Sequence, residues 1–280
     1  MMLSATNFAV IPDGIPVLGG AGDDVIDGGN GVNTLDGGAG NDSITGGAIY
    51  DVIYGGDGND TLDGGALNDT IHGGEGNDII YTGSGHGYFY GDGGNDTLQA
   101  GSDYVILYGG EGDDSLIGSV SRDTLLGDGG SDTLLGGDGN DSLYGGAGGD
   151  YLVGGAGVDG VYAQDGDDTL VVGDGDYADG GSGDDVFLID SSLSETGSMT
   201  VWGGESGEED VIDSANNPNG RIGDVLDLRG LSGVTITYNE ADSTWNGVTS
   251  ESGTATYVND AGETVTIHFS HIETIYSDDD

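Results

Sequence analysis

A nine-residue phrase repeats along most of this chain. It reads GGEGNDIIY at residues 73–81 and GGDGNDSLY at residues 136–144. From Gly19 to Val171 the phrase recurs without an insertion, and an eight-residue unit (172–179) and one more nonapeptide (180–188) follow. A unit this short buries its apolar face only when neighbouring units stack on it. The period therefore predicts a solenoid rather than a globular core.

Each position of the phrase has its own chemistry. The eighth position is apolar in every unit, from Ile26 to Phe187, and the sixth is Asp except at Asn33, Gly87 and Val105. Glycines at positions 1, 2 and 4 permit turn conformations that a side chain would forbid. Positions 7 to 9 are predicted to form a short strand in which position 8 points inward and positions 7 and 9 point outward. The core is therefore thin, with one apolar side chain per unit.

The negative charge of this chain must be neutralised by an external cation before the chain can become compact. The chain has 52 acidic and three basic residues, a formal net charge of −49, 62 glycines and no cysteine. Such a composition is also typical of a disordered acidic linker, but a linker has no reason to keep position 8 in phase. The charge excludes nucleic acid and anionic lipid as partners unless a cation bridges them. Carbonyl and carboxylate oxygens, without thiolates, favour Ca²⁺.

The pattern G-G-x-G-x-D-x-U-x over residues 19–188 resembles the nonapeptide repeat of RTX (repeats-in-toxin) proteins, the hemolysin-type calcium-binding proteins of proteobacteria. The resemblance implies an all-β fold, a right-handed parallel β-roll with two nonapeptides per coil and multiple bound Ca²⁺ ions. It also implies type I secretion with an uncleaved C-terminal signal. Because cytosolic calcium is too low to fill sites of about 10⁻⁴–10⁻³ M affinity, such a chain folds only outside the cell.

The loops alternate between two edges of the predicted roll. First-edge loops begin at residues 19, 37, 55, 73, 91, 109, 127, 145, 163 and 180. Second-edge loops begin at residues 28, 46, 64, 82, 100, 118, 136, 154 and 172. The second edge is eroded in its centre, where Gly87 and Val105 remove the carboxylate and Arg122 adds a cation. We expect one complete row of calcium sites and one interrupted row.

The resemblance assigns the calcium ligands to the sixth-position carboxylates and to loop glycines. The carboxylates are those of Asp24, Asp42, Asp60, Asp78, Asp96, Asp114, Asp132, Asp150, Asp168 and Asp185 on the first edge and Asp141, Asp159 and Asp176 on the second. The glycines are Gly20, Gly22, Gly38, Gly40, Gly56, Gly58, Gly74, Gly76, Gly110, Gly112, Gly137 and Gly139.

Position 9 carries a row of aromatic side chains on one outer face, which we call the aromatic ladder. Its members are Tyr54, His72, Tyr90, Tyr108, Tyr144 and Tyr162, with a period of eighteen residues. Two interpretations remain open. Tyrosine is a good strand residue and stacked identical side chains stabilise a sheet; alternatively, an exposed apolar stripe is a contact surface.

The flanks are predicted to cap the roll. Residues 1–18 are expected to be an N-terminal capping segment, and residues 189–280 a C-terminal β-rich cap with a possible secretion signal. DVLDLRGLSG (224–233) and TVTIHFSHIETI (264–275) resemble the C-terminal cap of secreted RTX proteins. No apolar run has the length of a transmembrane helix, and the N-terminus lacks the basic and apolar regions of a signal peptide.

No catalytic motif such as G-x-S-x-G, H-E-x-x-H or a P-loop is present, so we expect no enzyme. The sequence favours a secreted, calcium-binding structural protein of the cell surface or extracellular matrix, such as an adhesin, surface-layer or filament subunit, that self-associates. The alternative is a calcium-dependent polysaccharide-binding module of a larger secreted protein. Three arginines and no lysine argue against an acidic glycan unless calcium bridges the carboxylates.

Overall fold

The computed structural model describes residues 16–173, 175–190, 198–203, 225–229, 231–238, 243–245, 248–258, 264–272 and 274–277. These ranges contain strands, turns and irregular segments and no helix. The chain divides into two compact units, residues 1–138 and residues 139–280, and each is described by itself. The predicted domain boundaries at residues 18 and 188 remain predictions, and residues 1–15 of the N-terminal segment lie outside the described ranges.

The first unit contains fourteen short strands. They are β1 (Val17–Ala21), β2 (Val25–Asp27), β3 (Thr34–Ala39), β4 (Ser43–Gly47), β5 (Val52–Asp57), β6 (Thr61–Gly65), β7 (Thr70–Glu75), β8 (Ile79–Tyr81), β9 (Gly87–Gly93), β10 (Thr97–Gln99), β11 (Val105–Glu111), β12 (Ser115–Ile117), β13 (Thr124–Gly129) and β14 (Thr133–Asp138).

Within this unit, parallel pairing joins each strand to the strand two further along the chain. The odd-numbered strands form one sheet and the even-numbered strands the other. Leu35 in β3 pairs with Ile53 in β5, eighteen residues on, and Leu62 in β6 pairs with Ile80 in β8. Two nonapeptides therefore make one coil, as the sequence predicts.

The core lies between the two sheets and consists of the position-8 side chains. All of them are buried, from Ile26 at 2% exposed to Leu134 at 0%. Their neighbours at positions 7 and 9 are half-buried or exposed in strands such as β4 and β8. The predicted alternation is thus confirmed, and burial of one aliphatic side chain per nonapeptide contributes about 1.5–3 kcal/mol.

The second unit continues the same pattern and then departs from it. Its strands are β15 (Ser142–Ala147), β16 (Tyr151–Ala156), β17 (Gly160–Asp165), β18 (Thr169–Val172), β19 (Tyr177–Ser182), β20 (Val186–Ile189), β21 (Ser198–Trp202), β22 (Val225–Asp227), β23 (Ser232–Tyr238), β24 (Ser243–Trp245), β25 (Val248–Val258), β26 (Thr264–Ile272) and β27 (Thr274–Tyr276).

The eight-residue unit (172–179) shortens the spacing between paired residues from eighteen to seventeen. Val161 pairs with Ala178, seventeen residues on, and both side chains are buried. Further along, β26 pairs in parallel with β21 and antiparallel with β25, which also pairs antiparallel with β23. The predicted β-rich character of the C-terminal region is therefore seen in its described residues, whereas the predicted turn at residues 259–262 lies outside them.

Candidate metal sites

The loop glycines hold the backbone in conformations that side chains rarely adopt. All of the glycines predicted as ligands have positive φ angles, for example 116° at Gly56 and 133° at Gly58. A Cβ on Gly56 would lie 2.0 Å from the carbonyl oxygen of Gly38, one coil earlier. At three first-edge loops the second position is not glycine, yet Asp92, Asp128 and Gln164 keep positive φ angles of 72°, 71° and 83°. The loop shape is thus preserved where its favoured residue is lost.

Position 1 is glycine for a different reason, namely space. Gly55 is absent from the positive-φ glycines, and a Cβ on it would lie 2.3 Å from Oδ2 of Asp60 and 2.4 Å from the carbonyl oxygen of Gly73. Turn conformation, which the sequence suggested for positions 1, 2 and 4 alike, accounts for positions 2 and 4. At position 1 the glycine leaves room for a carboxylate oxygen and a carbonyl oxygen to converge beside its Cα.

A row of buried carboxylates runs along the first edge of the first unit. Its members are between 1% and 5% exposed, and they are Asp24, Asp42, Asp60, Asp78, Asp96, Asp114 and Asp132. From Asp42 onward, each Oδ1 accepts a backbone N–H from the Asp one coil earlier: the Asp60 N–H donates to Asp78 at 2.7 Å, and the Asp78 N–H donates to Asp96 at 2.7 Å. One carboxylate oxygen per coil is thereby used to join neighbouring coils.

In six of these carboxylates, the other oxygen has no hydrogen-bond partner among the residues that the structure describes. This holds for the buried Oδ2 atoms of Asp24, Asp42, Asp60, Asp78, Asp96 and Asp114. A buried charged oxygen without a partner costs several kcal/mol. A row of them is therefore unfavourable unless a cation or a proton neutralises it.

The pKa values of these carboxyl groups reflect the same free-energy cost of burying a negative charge. Burial, opposed by the backbone hydrogen bond, raises the pKa of Asp78 and Asp114 to about 7 and that of Asp96 to about 6. Repulsion from neighbouring carboxylates raises these pKa values further. Without a cation, the carboxyls of Asp78 and Asp114 would be partly protonated near neutral pH.

The donor set fits a hard cation that accepts backbone ligands. No cluster of three or more His, Asp or Glu side chains that could hold a metal occurs in the described part of the chain. A metal at these loops must therefore take carbonyl oxygens together with the Oδ2 atoms. Such an all-oxygen donor set suits Ca²⁺, which takes six to eight oxygen ligands in flexible geometry.

The second edge begins with the same arrangement, which the sequence did not assign to metal. The Asn33 N–H donates to Oδ1 of Asp51 at 2.7 Å, and the Asp51 N–H donates to Oδ1 of Asp69 at 2.8 Å. Both aspartates are buried, and their Oδ2 atoms lack hydrogen-bond partners. Leu67 replaces the fourth glycine but adopts a φ of 73°, so the loop shape survives. The sixth-position Asp was the signal that could have identified both residues.

The row then stops at Gly87 and Val105. Asp123, the next carboxylate, is satisfied by the protein itself: Oδ1 accepts the Val105 N–H at 2.9 Å, and Oδ2 accepts the Ser119 N–H at 2.7 Å and the Ser119 hydroxyl at 2.8 Å. Donors from Ser119 thus occupy the Oδ2 that in Asp51 and Asp69 has no hydrogen-bond partner among the described residues. The predicted interruption of the second edge coincides with a carboxylate that needs no metal.

The second unit repeats the backbone-to-carboxylate bonds. The Asp150 N–H donates to Asp168 at 2.7 Å, and the Asp168 N–H donates to Asp185 at 2.9 Å. On the second edge, the Asp141 N–H donates to Asp159 at 2.8 Å, and the Asp159 N–H donates to Asp176 at 2.8 Å. Asp176 differs, because its Oδ2 accepts the Gly173 N–H at 2.7 Å. Asp176 was predicted as a calcium ligand, and its Oδ2 already accepts a backbone hydrogen bond from the nearby Gly173.

Stacked coils, left-handed loop glycines and buried carboxylates without protein counter-charges define a metal-stapled parallel β-solenoid. A family model described as the RTX calcium-binding nonapeptide repeat (4 copies) matches residues 18–53, 36–71, 54–89, 90–125, 126–161 and 144–177. These matches span more than half of the chain, which therefore belongs to the RTX calcium-binding repeat family. It is a calcium-binding protein that holds multiple Ca²⁺ ions.

One solved structure shares the fold. It is the X-ray crystal structure of a hyperactive, Ca²⁺-dependent, β-helical antifreeze protein from an Antarctic bacterium, with a TM-score of 0.57 and 24% sequence identity. The match covers 81% of this chain and 71% of that chain, and at this identity it shows the β-solenoid fold alone. A search of curated protein sequences gave no match. The described residues include no helix long and apolar enough to cross a membrane.

Proposed function

We propose that this protein is a secreted structural component of the cell surface or extracellular matrix, which folds on binding calcium outside the cell and self-associates. The observation that carries the proposal is the row of buried Oδ2 atoms without protein partners, such as those of Asp60 and Asp78. A fold with such a row depends on the calcium supplied by its surroundings. It is stable in millimolar extracellular calcium and not at cytosolic concentrations.

The proposed ligands are the sixth-position carboxylates and the loop carbonyls of the complete loops. They comprise the thirteen aspartates and twelve glycines named from the sequence, and we add Asp51 and Asp69 on the second edge. With a dissociation constant of about 10⁻⁴ M, each site contributes about 1.4 kcal/mol to folding at 1 mM calcium. One site is therefore dispensable, whereas about nine sites together contribute about 13 kcal/mol, which is as large as the usual stability of a domain.

The surface proposed for self-association is the aromatic ladder on the odd-numbered strands. The ring centroids of Tyr54 and His72 are 5.4 Å apart, those of His72 and Tyr90 4.5 Å, and those of Tyr90 and Tyr108 4.7 Å, and all three pairs are stacked. Tyr54 is 42% exposed. Tyrosine is enriched at protein interfaces because its ring buries a large area and its hydroxyl still finds polar partners. Calcium supports assembly by screening the repulsion between acidic copies.

Sizing by light scattering as calcium is added tests the proposal. We expect wild type to form assemblies in millimolar calcium and the Tyr90→Ser/Tyr108→Ser variant to remain monomeric. Tyr81→Ser is the control, because Tyr81 is an exposed tyrosine in the other sheet, 42% exposed like Tyr54 of the ladder. Wild type that stays monomeric at high protein concentration would exclude self-association, and equal assembly of wild type and variant would exclude the ladder as its surface.

A further inference from the structure

The second-edge loops from Tyr50 to Arg122 present a surface unlike the rest of the first unit. Their fifth-position residues include Tyr50, His86, Tyr104 and Arg122, and all four are exposed. Tyr50 is 53% exposed and Tyr104 38%. The corresponding first-edge residues are mostly short and polar: they are Asp23, Asn41, Asn59, Asn77, Asn95, Asp113 and Ser131. Between Tyr50 and Arg122 the second edge thus has an aromatic or cationic loop tip on four of five coils, and Asn68 is the fifth-position residue of the remaining coil.

Two exposed aliphatic side chains extend this surface. Leu67 is 44% exposed and Val120 is 65% exposed, each in a second-edge loop of the same stretch. We call the set Tyr50, Leu67, His86, Tyr104, Val120 and Arg122 the aromatic strip. Exposed apolar groups in register along several coils mark a contact surface rather than scattered surface residues.

The aromatic strip is held in place by bonds between coils. The His86 N–H donates to Oδ1 of Asn68 at 3.2 Å, and Nδ1 of His86 lies 3.0 Å from the carbonyl oxygen of Tyr104, which can only accept. The rings of His86 and Tyr104 are 6.0 Å apart and tilted by 52°. The Leu67 N–H donates to the Ser84 carbonyl at 2.6 Å. A surface ordered in this way loses little conformational freedom when it binds a ligand.

The aromatic strip carries less negative charge than the rest of this acidic protein. Gly87 and Val105 stand where other coils have a buried carboxylate, and the Asp123 carboxylate is buried and bonded to Ser119. Arg122 adds an exposed cation to a chain whose net charge is −49. The surrounding negative charge repels polyanions and the exposed Arg122 disfavours a polycation, so the ligand that this strip favours has no net charge.

The shape of the strip selects a linear ligand. From Tyr50 to Arg122 the chain advances by four coils, so the strip is about 19 Å long at about 4.8 Å per coil. Four of its five coils present a fifth-position side chain, and the coil between those of Tyr50 and His86 presents Leu67 from the fourth position. The step is close to the length of one sugar unit in an extended polysaccharide. Tyrosine rings pack against the C–H faces of sugar rings, and arginine and histidine N–H groups donate to sugar hydroxyls.

We propose that the aromatic strip binds a linear, uncharged polysaccharide that lies along the stack of coils. A second copy of the chain is the less favourable occupant, because its surface is as acidic as that of the first. An acidic polysaccharide meets the same repulsion. The inference does not rest on self-association, which involves a different surface, although both require the calcium-bound fold.

Native electrophoresis of the calcium-loaded protein in gels containing dissolved polysaccharide tests this proposal. Hydroxyethyl cellulose and mixed-linkage β-glucan are the uncharged probes, and alginate is the acidic one. We expect at least one uncharged probe to retard wild type, and we expect Tyr50→Ser/Tyr104→Ser to weaken that binding at least tenfold. Tyr151→Ser, which removes a tyrosine 42% exposed in the second unit, should bind like wild type.

Each other outcome overturns the proposal. Migration unaffected by both uncharged probes excludes the ligand class, and retardation by alginate alone assigns the surface to an acidic glycan. Equal retardation of wild type and the double variant places binding elsewhere, as does a Tyr151→Ser variant that is weakened as much. Circular dichroism in calcium confirms that the variants are folded. Sizing of the same samples reports self-association separately, so the two proposals fail independently.

Discussion

The backbone N–H of Asp78 donates a 2.7 Å hydrogen bond to Oδ1 of Asp96, the equivalent residue one coil further along. The Oδ2 atoms of both aspartates are buried and have no hydrogen-bond partner. Each carboxylate thus joins two coils with one oxygen and leaves the other to an external cation. Coil stacking and calcium binding are therefore two uses of the same side chain.

Acidification should partly replace calcium. Burial raises the pKa of Asp69, Asp78 and Asp114 to about 7, from 3.8 in the unfolded chain. A raised carboxyl pKa stabilises the calcium-free fold fully below 3.8, and that contribution is lost as the pH rises through about 7. In excess chelator we expect the β signal in circular dichroism to increase as the pH falls from 8 to 5. A calcium-free protein equally unfolded at both pH values would contradict this.

Removal of one buried charge should weaken, but not abolish, calcium-dependent folding. Asp78→Asn keeps an acceptor for the Asp60 N–H and removes the negative charge on Oδ2. Loss of one site of about 1.4 kcal/mol lowers Tm at 1 mM calcium by about 3–6 °C. The exposed Asp57→Asn on the same edge is the matched control and should melt within about 1 °C of wild type. Equal shifts in both variants would assign the effect to net charge rather than to a site.

An alanine at Gly56 should be far more harmful than one at Gly93. Gly56 has a φ of 116°, and its Cβ would lie 2.0 Å from the Gly38 carbonyl oxygen, whereas the nearest atom to a Cβ on Gly93 is 3.6 Å away. We expect Gly56→Ala to cost at least about 2 kcal/mol and Gly93→Ala to remain within about 0.5 kcal/mol. Calcium titrations followed by circular dichroism measure both. Similar midpoints for the two variants would show that the first-edge loop tolerates a side chain.

Calcium should fill the two edges unequally. Ten first-edge loops allow about nine ions if each ion lies between successive loops. Near Gly87 and Val105 the second edge lacks carboxylates, and Asp123 is satisfied by Ser119. Anomalous scattering from crystals grown in calcium should therefore show a row of peaks on the first edge and a gap on the second. Equal peaks along both edges would refute this prediction.

Strict period and chemical type were enough to predict the coil, the inward side chains and the buried first-edge carboxylates. The alternation that buries Ile26 follows from strand geometry, and the eighteen-residue step follows from two nonapeptides per coil. The reason for glycine at position 1 could not be predicted, because the approach of the Asp60 and Gly73 oxygens to Gly55 is a contact between loops. Asp51 and Asp69 were not predicted as ligands because their loops lack the fourth glycine, yet Leu67 keeps the left-handed conformation in the loop of Asp69. The satisfied state of Asp123 depends on where the Ser119 hydroxyl points, which no repeat pattern encodes.

The hydrogen bonds from Asp to Asp in the first unit all join residues eighteen apart. Duplication of one eighteen-residue coil would supply the new coil with both partners and leave those of every other coil unchanged. A gene can therefore lengthen or shorten this unit by about 4.8 Å at a time through copy number alone. The pairing of Val161 with Ala178, seventeen residues on, shows that a loop can absorb a one-residue deletion while the strands stay in phase.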